Sequence, residues 1–258
     1  MRISINNQKG GVGKTTTAQA LGTGLTLKGY KTLFIDLDPQ ANLSVSMGAD
    51  ITKITIYEIL RGEKEAAEAI QVTAQGNIIP ANLLLSGADL EFTQTGREYL
   101  LREALAPLKG PYDFIIIDTP PTLGILTINA LTATDKVIIP MGADVYSLQG
   151  LSQLYSTIDR VRKYCNPSLK VEGILLTQFN SRTVIGRDLR QAIEDVASKA
   201  ETKVFKAGIR DGVAVKEAQA RQESIFGYAP KSNPAKDYMD FIEELIGGLK
   251  DEQKKLYR

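Results

Sequence analysis

Lys14 and Thr15 close a glycine-rich run whose residue types could hold a chain of phosphates. The run, NNQKGGVGKTTTAQA, spans residues 6–20 and directly follows the first apolar stretch of the chain. Gly10, Gly11 and Gly13 let the backbone approach a ligand. The amides from Gly10 through Val12 to Gly13, with the start of the following helix, form a preformed anion site. Lys14 would lie along the β- and γ-phosphates of a nucleotide, the Thr15 hydroxyl would coordinate magnesium, and Thr16 would reach the α-phosphate. The run departs from the pattern G-x-x-x-x-G-K-[ST] at its start. Gln8 stands where the first glycine belongs, and a second lysine, Lys9, stands beside it.

Nucleotide-bound magnesium also needs a carboxylate at the end of a neighbouring strand. FIIIDTPP (114–121) supplies Asp118 after four apolar residues, placed to hold the metal through water. LFIDLDPQAN (33–42) supplies Asp36 and Asp38, which share a face of an extended strand because they are two residues apart. Pro39 ends that strand. Asp38 is the candidate for orienting an attacking water, and Asp36 for supporting the magnesium shell. Either aspartate could instead cap a loop.

Composition narrows the remaining chemistry. The 258 residues include no histidine and one cysteine, Cys165. Histidine bases, serine–histidine–aspartate triads, the usual zinc sites and internal disulfides are thereby excluded. The 31 basic and 30 acidic residues nearly cancel, so only a local patch could attract a polyanion. No run reaches the roughly 18 apolar residues of a membrane span. The loop begins within ten residues of Met1, which leaves no room for a signal peptide or an upstream helix-turn-helix. The chain is expected to be soluble and cytoplasmic.

The elements that must position these groups follow from hydrophobic patterning. Strand-like runs occur at 2–6, 31–38, 77–82, 112–121, 135–141, 171–179 and, in short form, 202–207, with helical patterns between them. The first helix is expected from Thr15 to Lys28. Residues 39–76 read as an excursion of short helices. YAPKSNPAKDYMDF (228–241) reads as a loop with a capping asparagine that feeds a last helix. Continuous β-branched runs are buried on both faces. The expected fold is therefore α/β: one doubly wound, mostly parallel sheet with helices on both faces, forming a single domain over 1–258. Right-handed crossovers bring the strand ends, and with them the candidate residues, to one edge.

KGGVGKTT, DLDPQAN and FIIIDTPP, in this order, resemble the deviant phosphate-loop ATPases of the ParA/MinD group, a branch of the P-loop NTPases. The match to ParA-type partition ATPases, including the chromosomal Soj kind, is close. GADVYSLQGLSQL (142–154) and the C-terminal region extend it over most of the chain. The resemblance implies ATP and Mg2+ as ligands and slow hydrolysis. It also implies a homodimer that sandwiches two ATP molecules, in which Lys9 reaches across to the phosphates held by the other subunit. DPQAN and DTPPTLG (118–124) would respond to the γ-phosphate. The family often has glycine at the position of Ala41. AGIRDGVAV (207–215) resembles a family segment that lies over adenine, with Ile209 in place of its proline and one residue inserted. That makes Arg210 and Asp211 candidate base contacts, alongside Asn180 after a strand end.

Relatives differ in ways the sequence can test. Cys165 alone cannot supply the cluster ligands of nitrogenase iron proteins, and one phosphate loop is too few for the arsenite pumps. Only Tyr257 lies near the end, unlike the tyrosine-rich tails of bacterial kinases. DFIEELIGGLKDEQKKLYR (240–258) has apolar residues at helical spacing and a charged end, so it reads as a helix docked on the core, with no stable membrane association. The resemblance to partition ATPases implies non-specific DNA binding in the ATP state, a nucleoid-associated location, and a ParB-like centromere-binding activator, with plasmid or chromosome as cargo. Residues 182–236 hold eleven Lys/Arg against seven Asp/Glu. Arg182, Arg187, Arg190, Lys216 and Arg221 are the candidate DNA contacts. Two other readings stay open: a positioning ATPase of the same fold for another cargo or the membrane, and a metabolic ligase or amidotransferase related to dethiobiotin synthetase.

Overall fold

The computed structural model describes residues 1–108, 112–142, 147–180 and 183–256. The chain opens with β1 (Arg2–Ile5), the glycine loop and α1 (Lys14–Leu27). It continues through β2 (Thr32–Asp36), α2 (Asn42–Ser46), α3 (Ile56–Leu60), β3 (Gln71–Thr73) and β4 (Gly76–Ile79). Short helices α4 (Ala88–Glu91) and α5 (Leu100–Ala104) lead to β5 (Phe114–Asp118), α6 (Ile125–Ala133) and β6 (Lys136–Gly142). The last third comprises α7 (Ser147–Tyr164), β7 (Lys170–Thr177), α8 (Val184–Lys199), α9 (Val213–Ala220), α10 (Ile225–Tyr228) and α11 (Asn233–Leu256).

One seven-stranded sheet runs in the order β3-β4-β2-β5-β1-β6-β7. All pairings are parallel except β3 with β4. The expected doubly wound α/β fold is thus the fold of the chain. The central strands alternate within their apolar runs. Phe34, Phe114 and Ile116 join the core under α1 and α11. Leu33, Ile35, Ile115 and Ile117 join the core under α3 to α6. A third cluster packs Val137, Ile139, Ile174 and Leu176 beneath α7 and α8. Because β5 is fully buried on both faces, its sequence reads as continuous isoleucine rather than as alternation.

The order places β2 and β5 on one side of β1 and β6 on the other. The winding reverses next to β1, and such a reversal opens a crevice at the strand C-terminal ends. Register puts Ile5 and Asp36 each beside Asp118, so the glycine loop and both aspartate-bearing strands end side by side.

Three local expectations need correction. Residues 202–207 form no strand: Val204 and Ile209 make isolated bridges to Ile174 and Thr177. Phe205 is instead buried against Phe241 of α11, with ring centroids 4.8 Å apart and nearly perpendicular. Within 39–76 there is a strand, β3, whose Val72 is 83% exposed; an edge strand of three residues without an apolar face leaves almost no periodic signal. At α11 the cap is Ser232, whose hydroxyl accepts from the Ala235 amide at 3.4 Å, whereas Asn233 is the first helical residue.

The apolar stripe of α11 is docked, with Phe241, Ile242 and Leu245 fully buried. Its far end is tied to the opposite sheet edge by buried charge. Lys136 pairs with Glu172 and, at 2.6 Å, with Glu252, while Lys203 reaches Glu172 at 3.0 Å. No helix among the described residues is long and apolar enough to cross a membrane.

Candidate nucleotide site

The loop after β1 is fixed from below by side-chain amides. Asn7 Nδ2 donates to the Pro140 carbonyl at 2.7 Å, and Asn7 Oδ1 accepts from the Lys9 amide at 2.9 Å. From the other side the end of β7 holds it: Thr177 Oγ1 donates to the Val12 carbonyl at 2.9 Å, and Gln178 Nε2 to Gly11 at 3.3 Å. Gly11 and Gly13 adopt φ of 73° and 79°, a region where side chains are strained. Gly13 caps α1 with no side-chain hydrogen bond, so the first amides of a fourteen-residue helix face outward without an internal acceptor. Those amides and the helix dipole favour an anion.

Lys14 is 7% exposed, and its ammonium donates to the Lys9 carbonyl at 3.0 Å. Burial lowers its pKa, opposed by the nearby carboxylates of Asp118 and Asp38. The loop, β5 and the segment after β2 therefore converge on one positive charge. Lys9 itself is half-buried at the start of the loop.

Asp118 has no exposed surface. Its Oδ1 accepts from the Thr119 amide at 3.1 Å, whereas Oδ2 is buried without a hydrogen-bond partner. Burial, and then the charge of Asp36, push its pKa well above the ordinary carboxylate value, opposed by the nearby Thr15 hydroxyl and the charge of Lys14. A buried carboxylate with an unused oxygen beside a hydroxyl fits a divalent cation, which would reverse the cost of ionising it. Among the described residues no group of three acidic or cysteine side chains could hold a metal unaided. Magnesium would have to share its shell with phosphate and water.

Asp38 and Asp36 part company. Asp38 lines the cavity over the loop, and its Oδ1 accepts from the Gln40 amide at 3.0 Å. Asp36 points away from that cavity into a closed network. Its Oδ1 accepts from the Asp38 amide at 3.0 Å, and its Oδ2 from the Ser44 amide and hydroxyl at 2.9 and 2.7 Å. Burial raises its pKa to about 6, which the Ser44 and Asp38 hydrogen bonds oppose. Both Asp36 oxygens thereby shape the turn that presents Asp38. Ala41 stands in that turn at φ 53°, the conformation in which glycine is unstrained.

The cavity encloses about 540 Å3. Its wall brings together Gly10, Gly11, Gly13, Lys14, Thr15, Thr16 and Asp38 from the first half of the chain with Arg210, Asp211 and Lys216 from the last third. Val12 is buried beneath the loop and offers its carbonyl to Thr177. Arg210 is clamped by Asp237, with Nε and Nη2 donating at 2.9 and 2.6 Å, so it is a fixed wall rather than a mobile contact. Asn180 is not on the wall. Gln178 is, at φ 52°, because β7 ends at Thr177 and the next residue turns back over the loop. Gln219 was not legible in the sequence. It lies on the wall and donates to Thr16 Oγ1 at 3.1 Å, a contact across 203 residues that no local pattern signals.

The candidate DNA contacts come from several elements. Arg182 lies outside the described residues. Arg187 is exposed on α8. Arg190 is partly buried: its guanidinium pairs with Glu194 at 2.8 Å and donates to the carbonyls of Phe205 and Lys206. Lys216 borders the cavity, and Arg221 lies over the Tyr228 ring at 5.5 Å.

Comparison with known proteins agrees with this geometry. A family model described as an AAA domain matches residues 1–171. The sporulation initiation inhibitor protein Soj of Bacillus subtilis is 43% identical over 249 residues, covering 94% of this chain and 97% of Soj. The chromosome partitioning protein ParA of Caulobacter vibrioides is 40% identical over 260 residues, covering 98% and 96%. Among solved structures, cobyrinic acid a,c-diamide synthase from Mycobacterium smegmatis, with bound ATP analogue and magnesium, superposes with a TM-score of 0.83. It is 38% identical and covers 96% of this chain and 95% of its own.

Proposed function

This chain belongs to the ParA/MinD-type family, among the Soj and ParA partition ATPases, and from that membership we propose an ATP-driven switch that joins two copies of the chain and releases them on hydrolysis. The observation that carries the proposal is the convergence of uncapped helix amides, the buried Lys14 and Asp38 on one cavity, with Asp118 buried behind its wall beside Lys14 and Thr15. Such a site takes a phosphate chain with its magnesium.

In this reading Lys14, with the amides of Gly10 to Gly13, holds the β- and γ-phosphates, and Thr16 holds the α-phosphate. Thr15 and Asp118 hold magnesium, which when bound neutralises phosphate charge. Asp38 orients the attacking water, and its Asx turn keeps the carboxylate aimed into the cavity. Gln178, Arg210 and Asp211 wall the base end. Lys9 serves the phosphates of the second copy, as an arginine finger does in trans. The single sheet that spans the chain supports reading 1–258 as one domain. Non-specific DNA is the proposed track of the ATP-bound dimer, through Arg187, Lys216 and Arg221. A centromere-binding activator would stimulate hydrolysis, and the nucleoid would be the site of action.

Retention on non-specific duplex DNA with ATP, with ADP and without nucleotide tests this directly. Retention only with ATP, lost at high salt, is expected. Equal retention in all three states, or none, would reject the switch. A second reading attaches to the Mycobacterium smegmatis protein, whose name denotes an amide-forming enzyme. That activity would show as ATP turnover dependent on a small carboxylate substrate and indifferent to DNA.

A further inference from the structure

The C-terminal halves of α7 and α8 run back from the nucleotide edge, because crossover helices run opposite to the parallel strands they connect. Between these halves lies a groove of about 640 Å3. Its floor is apolar and aromatic: Val196 is half-buried, and Tyr155 is packed so that its hydroxyl is shut off from solvent without a hydrogen bond of ordinary geometry. Tyr164 is 67% exposed at one end. Its rim is cationic, with Arg160, Lys163 and Lys199 all exposed.

One carboxylate, Asp159, also lines the groove, and each nearby carboxylate has a partner of its own. Asp159 pairs with Arg162 at 3.3 Å, Glu194 with Arg190 at 2.8 Å, and Asp195 accepts from Gln191 at 3.1 Å. Among the described residues neither Arg160 nor Lys199 has a carboxylate within ion-pair range, and Lys163 sits over the Tyr164 ring at 5.1 Å. A groove with an apolar and aromatic floor and a predominantly cationic rim has the layout of a protein-recognition site: apolar centre, charged margin. A duplex backbone would satisfy the rim but has nothing to bury on the floor.

We propose that this groove docks an acidic segment of a partner protein that carries apolar side chains between its carboxylates. The carboxylates meet Arg160, Lys163 and Lys199, and an apolar side chain covers Val196 and the tyrosine rings. The groove lies away from the nucleotide edge, so it stays open whether or not a second copy covers that edge.

The test is fluorescence anisotropy of the full chain with a labelled synthetic peptide of alternating glutamate and leucine. A lysine–leucine peptide, poly-glutamate and a short DNA duplex serve as comparisons. The glutamate–leucine peptide is expected to bind with Kd on the order of 10 µM, more tightly than poly-glutamate, while the lysine–leucine peptide does not bind. The double variant Arg160→Glu/Lys199→Glu should weaken binding at least about tenfold. Val196→Asp should weaken it about fivefold by placing a like charge on the floor, and both variants should keep parental ATP affinity as a check on folding. Equal binding of acidic and basic peptides, or binding unchanged by charge reversal, would overturn the proposal. Groove-dependent binding of the duplex without the peptide would also overturn it and assign the groove to nucleic acid.

Discussion

Lys14 is nearly buried and faces two carboxylates, so its removal takes away the one charge that balances them as well as the phosphate contact. Lys14→Ala is expected to weaken ATP binding by at least about a hundredfold, roughly 3 kcal/mol. Calorimetric titration checks this, and near-parental affinity would count against the site. Asp38→Ala should act differently, since the proposed role of Asp38 is to orient the attacking water rather than to hold phosphate. ATP affinity should stay within about threefold while turnover falls by about 10² to 10⁴, leaving the ATP-bound, DNA-retained form to accumulate. Normal turnover in a phosphate-release assay would remove Asp38 from the mechanism. The strand ends and the glycine loop that carry Lys14, Thr15, Asp38 and Asp118 could be read from the sequence, because a buried apolar run and a glycine pattern are local signals. The hydrogen bonds from Ser44 to Asp36 join a helix to the strand before it and leave no such signal. The left-handed turn at Gln178, which follows the end of β7 and sets that residue on the cavity wall, likewise has no apolar signature.

At the scale of elements, α1 is pressed between the sheet and α11. A Cβ at Gly22 would collide with the Phe34 ring, and one at Gly24 with Ile242 of α11. These glycines let the phosphate-loop helix sit close enough to the sheet for its first turn to face the cavity. Gly22→Ala should therefore destabilise by about 1–3 kcal/mol through overpacking, even though alanine favours helix. Thermal unfolding followed by circular dichroism should show a melting point lowered by a few degrees, and an unchanged one would contradict the packing argument. The central strands were legible because both their faces are buried. The edges were not: β3 is too short for a period, and 202–207 has strand-like composition but finds only single bridges on β7. The docked face of α11 could be read from helical spacing, whereas the charge cluster at Lys136 that fastens its end joins residues far apart in sequence.

For the whole molecule, the nucleotide edge gathers the loop, Asp38 and Lys9 on one side of the sheet, while the lysine-ringed groove between α7 and α8 occupies another. In the proposed account, this separation leaves one surface to pair two copies and another to meet a different partner. Pairing is the central claim, and Lys9 is the residue that distinguishes a cross-subunit role from a merely local one. Lys9→Ala keeps Lys14, the loop glycines and Asp118, so each monomer should bind ATP within a few-fold of the parent. The decisive measurement is sedimentation of the parent and of Lys9→Ala with saturating ATP and magnesium, alongside their ATP affinities. The parent is expected to sediment as a dimer and Lys9→Ala as an ATP-bound monomer. An ATP-bound Lys9→Ala that dimerises as the parent does would contradict the account.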